Sequence, residues 1–331
     1  MTVPPPLSTS SVPAPALPKP VGEPIVSVRN LHRTFKDVHA VRGVSFDIYP
    51  GQVVGFIGAN GAGKTTTMRM MATLELPTHG SIAIGGLDVV NFPTQVRKKL
   101  GWMPDSYGTY SHVTVFEYLD FYGRAFGYRE AERRERVAQV MEFADLKPIA
   151  GRMMDKLSKG MGQRLCLGRT LLHDPEVLIL DEPAAGLDPK ARIEFKQLVR
   201  LLAGEGKTIF ISSHILSELG EMCDTLLFID AGKIVHHGSA ESLQHDRAAA
   251  VFVDVQVSGD PEVLVRWAAL NPGVELIATA KRGARLGCES GEPEELARLL
   301  RKMIQDGVPV TDFHRQSRRL EDAFVDMLNK G

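Results

Sequence analysis

The stretch GANGAGKTT, Gly58 to Thr66, decides the fold of this 331-residue chain. It fits the spacing G-x-x-x-x-G-K-[ST] and joins an apolar run, QVVGFIG from Gln52, to a helical pattern. Each residue type has a physical reason to be there. Gly58, Gly61 and Gly63, with Ala59, Asn60 and Ala62 between them, let backbone N–H groups turn inward onto phosphate oxygens. Lys64 neutralises β- and γ-phosphates, Thr65 offers its hydroxyl to Mg²⁺, and Thr66 is close enough for an α-phosphate. A nucleoside triphosphate and Mg²⁺ are therefore the expected ligands.

Two further apolar runs end in polar residues. EVLILDEP, from Glu176, reads as a buried strand that delivers Asp181 and Glu182 together. Consecutive strand residues point to opposite sides, but at a strand end the pair can split roles. Asp181 supports Mg²⁺ from one layer out; Glu182 orients and deprotonates the attacking water. KTIFISSH, from Lys207, reads as the neighbouring strand, and its last residue, His214, comes within reach of the γ-phosphate as a donor. Short β-branched runs alternate with helical patterns from residue 25 to about 240, which predicts an α/β domain. A helical section fills about 105–175, with Val137, Val140, Met141 and Ala144 on one face of a helix.

Composition excludes other classes. A net charge of −1 gives no general pull towards nucleic acid or anionic lipid. No segment has the length of apolar chain that spans a bilayer, and nothing reads as a lipid anchor or signal peptide. Cys166, Cys223 and Cys288 lie far apart and read as buried small hydrophobes. Residues 1–24 hold eight of the twenty prolines, a composition that predicts a disordered tail.

A second anion seat stands almost a hundred residues downstream. LSKGMGQRL, Leu157 to Leu165, places a serine, a lysine and glycines at the start of a helix. GANGAGKTT, LSKGMGQRL, LILDEP, AAGLDP and ISSH, in this order, resemble the nucleotide-binding domain of an ABC transporter over roughly residues 25–240. The resemblance implies a P-loop NTPase fold of ABC type with a helical subdomain. It also implies a head-to-tail dimer, each ATP gripped by the phosphate loop of one copy and by Ser158 and Gly160 of the other. Phe35 sits where the family stacks an aromatic on adenine, and Asp188 lies in the segment linking the two sites. Two positions depart from the pattern. Asp105 stands where glutamine is usual; it either binds Mg²⁺ through water or keeps only the mechanical role of its loop. LSKGMGQRL matches the family's signature motif, which opens the signature helix; Lys159 stands where that motif commonly has glycine, and either points outward or adds positive charge near the partner's ATP.

The same resemblance implies a soluble, cytoplasmic ATPase that drives a separate integral membrane permease. A groove for a permease helix is expected after Asp105, with Tyr107, Tyr110 and His112 exposed and Phe116, Leu119 and Tyr122 internal. Residues 248–331 read as a small α+β module of order β-α-β-β-α-β, ferredoxin-like. Its second helix should set Leu296, Leu299, Leu300, Met303 and Ile304 on one side, and a final helix should follow from Leu320. This tail resembles that of ABC-2 type exporters. A non-transport ABC ATPase, or a soluble regulator without a membrane partner, is the rival reading.

Overall fold

A computed structural model of the chain describes residues 22–106, 108–220, 222–239, 251–288 and 292–316. The Pro-rich residues 1–21, Tyr107 and the helix expected from Leu320 lie outside them.

The described chain opens with an antiparallel sheet. Strand β1 (Val26–Phe35) pairs with β2 (Val38–Ile48) and β4 (His79–Ile84), and β4 with the short β5 (Leu87–Asp88). The main sheet is built from β3 (Val53–Ile57), β6 (Leu100–Met103), β7 (Val177–Leu180), β8 (Thr208–Ser213), β9 (Thr225–Asp230) and β10 (Lys233–Gly238). Its order is β10-β9-β3-β8-β7-β6, with only β10 antiparallel to its neighbour. Every residue of β3, β7 and β8 is buried, as parallel strands covered on both faces require. Because these three strands run in parallel, the residues that follow them emerge along one edge of the sheet. Those residues are Gly58, Asp181 and His214.

The two-residue alternation of the strands splits the core into two. Val54, Phe56, Ile179 and Phe210 face the antiparallel sheet and α1 (Lys64–Met71); Val53, Ile57, Leu180 and Ile211 face the helices on the other side. Phe210 anchors the first half, with its ring centroid 5.0 Å from Phe56 and 5.5 Å from Phe46.

After α2 (Pro93–Lys99) and β6 come α3 (Val115–Ala125), α4 (Glu130–Phe143) and α5 (Lys159–Leu171). Helix α3 starts at a reciprocal cap: Thr114 accepts from the Glu117 amide, and Glu117 accepts from the Thr114 amide. Val137, Val140, Met141 and Ala144 are buried together, as their spacing predicts. Leu119 is buried and Tyr122 half-buried, but Phe116 is 45% exposed, against expectation. The buried stripe of α3 runs through Val115, Tyr118 and Leu119, and one residue after Val115 the helix has already turned Phe116 outward. Tyr110 and His112 are exposed as expected.

Helices α6 (Pro189–Gly204) and α7 (Leu216–Gly220) complete this part of the chain. The C-terminal elements are β11 (Val251–Val257), α8 (Glu262–Ala269), β12 (Val274–Ala280), β13 (Gly283–Cys288), α9 (Pro293–Gln305) and β14 (Val310–Gln316). They form an antiparallel sheet of order β12-β13-β11-β14 over a core of Leu264, Trp267, Leu286, Leu296 and Met303. Ile304, expected on the apolar side of α9, is 59% exposed, because Leu296 and Met303 already define the buried stripe. Cys166 and Cys288 are buried and Cys223 is half-buried. Burial pushes the Cys166 thiol up to about 11, which keeps it protonated and unreactive.

Candidate functional site

The phosphate loop is closed in by its neighbours. Gly63 caps α1 with φ 110°, and a Cβ there would stand 2.6 Å from the Ala40 carbonyl. A Cβ on Gly58 would overlap the Ile229 carbonyl. Larger residues would thus push the loop off β2 and β9 and spoil the inward turn of its amides. Lys64 is buried, and its Nζ donates to the carbonyls of Gly58 at 2.7 Å and Ala59 at 3.3 Å. The same Nζ lies 3.4 Å from Oε1 of Glu182. Thr65 is exposed and Thr66 half-buried at the start of α1.

Strands β7 and β8 bring the acidic pair and the histidine to this loop. Asp181 is fully buried, and its Oδ1 accepts from Ser212 Oγ at 2.7 Å. That hydroxyl also accepts from the Glu182 amide at 2.8 Å, so one serine holds both acidic residues. Glu182 adopts φ 45°, a left-handed backbone that non-glycine residues take at a cost. Its Oε2 stands 2.8 Å from His214 Nδ1. Burial lifts the Asp181 carboxyl above the usual carboxylate range, the hydroxyls of Ser212 and Thr65 oppose that lift, and the charges of Asp105 and Glu182 add to it. Asp181 Oδ2 has no hydrogen-bond partner among the described residues. A buried carboxylate oxygen left unpaired beside a threonine hydroxyl suits a hard divalent cation such as Mg²⁺.

The other expected site residues lie further out. Asp105, just past β6, is exposed, and its Oδ1 accepts from the Ser106 amide at 2.7 Å. Phe35 ends β1, 40% exposed, with the Arg33 guanidinium 4.3 Å from its ring centroid. Ser158 caps α5, accepting from the Met161 amide at 3.3 Å. Asp188 caps α6 in the same way, accepting from the Ala191 amide at 3.0 Å. Gly160 lets α5 approach α6: a Cβ there would stand 3.1 Å from the Ala191 methyl. Lys159 is exposed, in keeping with the outward alternative. Its side chain lies over Gly186, where a Cβ would stand 3.3 Å from Cε and 3.5 Å from Cδ and would overlap Nζ.

Residues 41–185 match the family model described as ABC transporter. The chain is 34% identical, over 91% of its length and 93% of the relative's, to the Nod factor export ATP-binding protein I of Ralstonia nicotianae. The chain belongs to the ABC transporter family. It is similar also, at 33% identity over 93% of its length, to the probable multidrug ABC transporter ATP-binding protein YbhF of Escherichia coli. The match spans about half of that relative, 53% of its length. Among solved structures, cbiO1 of Clostridium perfringens, part of the ABC transporter complex cbiONQ, superposes with a TM-score of 0.61 at 26% identity. That superposition covers 66% of this chain and 89% of the neighbour.

As a member of this family the chain is an ATP-binding transport ATPase with a P-loop α/β fold. No helix among the described residues of this ABC protein is long and apolar enough to cross a membrane. Sequence reasoning missed two relationships in the site. One is the Lys64–Glu182 ion pair, for which no sequence signal exists. The other is Ser212, whose signal is a hydroxyl near the end of β8, one residue past the Leu180–Ile211 pair and so level with Asp181.

Proposed function

We propose that two copies of this chain pack head to tail around two ATP molecules and drive a separate integral membrane permease from its cytoplasmic face. One observation carries the reading: the Glu182 carboxylate is flanked by Lys64 at 3.4 Å and His214 at 2.8 Å, at the mouth of a glycine loop. In this reading Glu182 takes a proton from water as that oxygen attacks the γ-phosphorus and the bond to the bridging oxygen breaks. Lys64 exchanges the carbonyls of Gly58 and Ala59 for the β- and γ-phosphates, and His214 donates to the γ-phosphate. Loop residues Gly58 to Thr66 supply amides and hydroxyls, and Phe35 stacks on the adenine. Thr65, Asp181 and Asp105 would hold Mg²⁺, a fit supported by the unpaired Asp181 Oδ2. When bound, the metal offsets charge on the phosphate oxygens.

Ser158, Lys159 and Gly160 form the other half-site, at the positive end of α5. One chain offers half of each site, so an isologous two-fold dimer completes both. Asp188 lies in the segment that joins them. The cassette occupies residues 25–240, with a helical subdomain at about 105–175, followed by an accessory domain at 248–331. The sheet order β12-β13-β11-β14 supports reading that domain as ferredoxin-like. The relative named for Nod factor export favours an exporter, and the resemblance of the C-terminal tail favours the ABC-2 type.

The test is direct. Glu182→Gln should trap an ATP-dependent dimer, seen by light scattering, and the wild-type chain should co-purify with a polytopic protein from detergent-solubilised membranes. A chain that stays monomeric in ATP overturns the dimer; a purely cytosolic pool overturns the transport role in favour of a soluble regulator.

A further inference from the structure

Lys159 is the first residue of α5 and carries its charge at the positive end of that helix, where a cation is disfavoured. Nothing in the first turn offsets it: α5 has no acidic residue there. Among the described residues Lys159 forms no ion pair. Its side chain is nevertheless laid along one residue, Gly186, in the turn that leads from Glu182 to α6. That turn is tightly wound: the Ala185 amide donates to the Glu182 carbonyl at 3.0 Å, and the Leu187 amide to the Ala184 carbonyl at 3.3 Å. Gly186 has φ 67° and no side chain, and the end of the Lys159 side chain occupies the space a Cβ would fill. Any Cβ at 186 would displace the ammonium.

We propose that Lys159 is a positioning residue, a latch that ties the start of the signature helix to the turn carrying Glu182 in the same chain. The inference rests on the head-to-tail reading for its consequence. Ser158 grips the nucleotide of one site while Glu182 serves the other, and the Lys159–Gly186 contact joins them within one subunit. Through this contact, closure at one nucleotide biases the position of the base at the second. A glycine at position 159 would leave the two segments joined by apolar packing, where Gly160 meets Ala191 and Leu187.

The latch is tested first in the nucleotide-free chain. Lys159→Ala should raise amide hydrogen exchange in residues 184–188 by about threefold, the scale of burying one methylene of the lysine stem. Lys159→Arg, which keeps a long stem and the charge, should restore it. Exchange that is unchanged in Lys159→Ala overturns the latch, whatever the oligomeric state. The consequence is tested in the Glu182→Gln background, by the ATP concentration that half-assembles the dimer. Lys159→Ala should raise that concentration by about threefold, and Gly186→Ala should add less in the Lys159→Ala background than alone, because the lysine it displaces is already gone. Fully independent effects overturn the coupling. Failure of the Glu182→Gln parent to assemble overturns the head-to-tail reading instead, and the exchange result still decides the latch.

Discussion

His214 and Glu182 are one unit: Nδ1 of the histidine stands 2.8 Å from Oε2 of the glutamate, although 32 residues of chain separate them. The histidine is 45% exposed on its side chain and the glutamate only 15%. A residue placed this way can orient the carboxylate and also reach outward to a phosphate. His214→Ala should therefore lower the maximal rate of phosphate release by about 10²-fold, as when one preorganised donor is lost. ATP affinity, measured by calorimetry, should change little; equal losses in both would place His214 in binding rather than in the chemical step.

Lys64 gives the opposite split. Among the described residues it is buried with two carbonyls and one carboxylate as its close partners, so its charge is available to a nucleotide at small cost in reorganisation. Lys64→Ala should weaken ATP binding by about 10- to 100-fold, the scale of losing a charge-assisted hydrogen bond. Retention of wild-type affinity would remove Lys64 from the nucleotide site.

Asp105 is the sharpest test of metal binding. Asp105→Asn should weaken Mn²⁺ binding, followed by paramagnetic resonance in the presence of ADP, by about tenfold, the scale for a group that acts on a metal from its outer layer. Unchanged binding would leave this residue with only the mechanical role of its loop.

Phe210 tests the core between the two sheets. It is fully buried against Phe46 and Phe56, and Phe210→Ala should cost about 3–5 kcal/mol in urea unfolding followed by Trp102 fluorescence. A loss below about 1 kcal/mol would mean that the sheets repack around the gap.

His173 predicts an acid-side weakness. Burial holds its ring below the ordinary value of 6.5, while the Leu100 carbonyl, 3.0 Å from Nε2, acts the other way. A histidine depressed in the fold favours the neutral form, so its contribution is complete above about pH 6.5 and is lost as pH falls below it. The midpoint of thermal unfolding should drop between pH 7 and pH 5, and His173→Gln should flatten that drop. An equal slope in the variant would assign the acid loss elsewhere.

Much of the candidate site is legible in the sequence. The glycine loop, the two strand-terminal acids and His214 are local patterns, because each depends on one strand ending and a loop beginning. Parallel pairing then places them on one edge without further information. The periodicity of α4 and the β-α-β-β-α-β order of the C-terminal elements were legible for the same reason: period and punctuation are properties of neighbours in sequence. What the sequence left open depends on which face an element turns to a neighbour far along the chain. Phe116 and Ile304 sit one residue past positions that are buried, and only packing selects the stripe. The Lys64–Glu182 pair, the double role of Ser212 and the seat of Lys159 on Gly186 join residues 118, 30 and 27 positions apart. Sequence determined which chemical groups this protein has and the local turns that display them. Tertiary structure alone decided which of those groups touch, because contact between distant segments is set by how sheets and helices close on a common core.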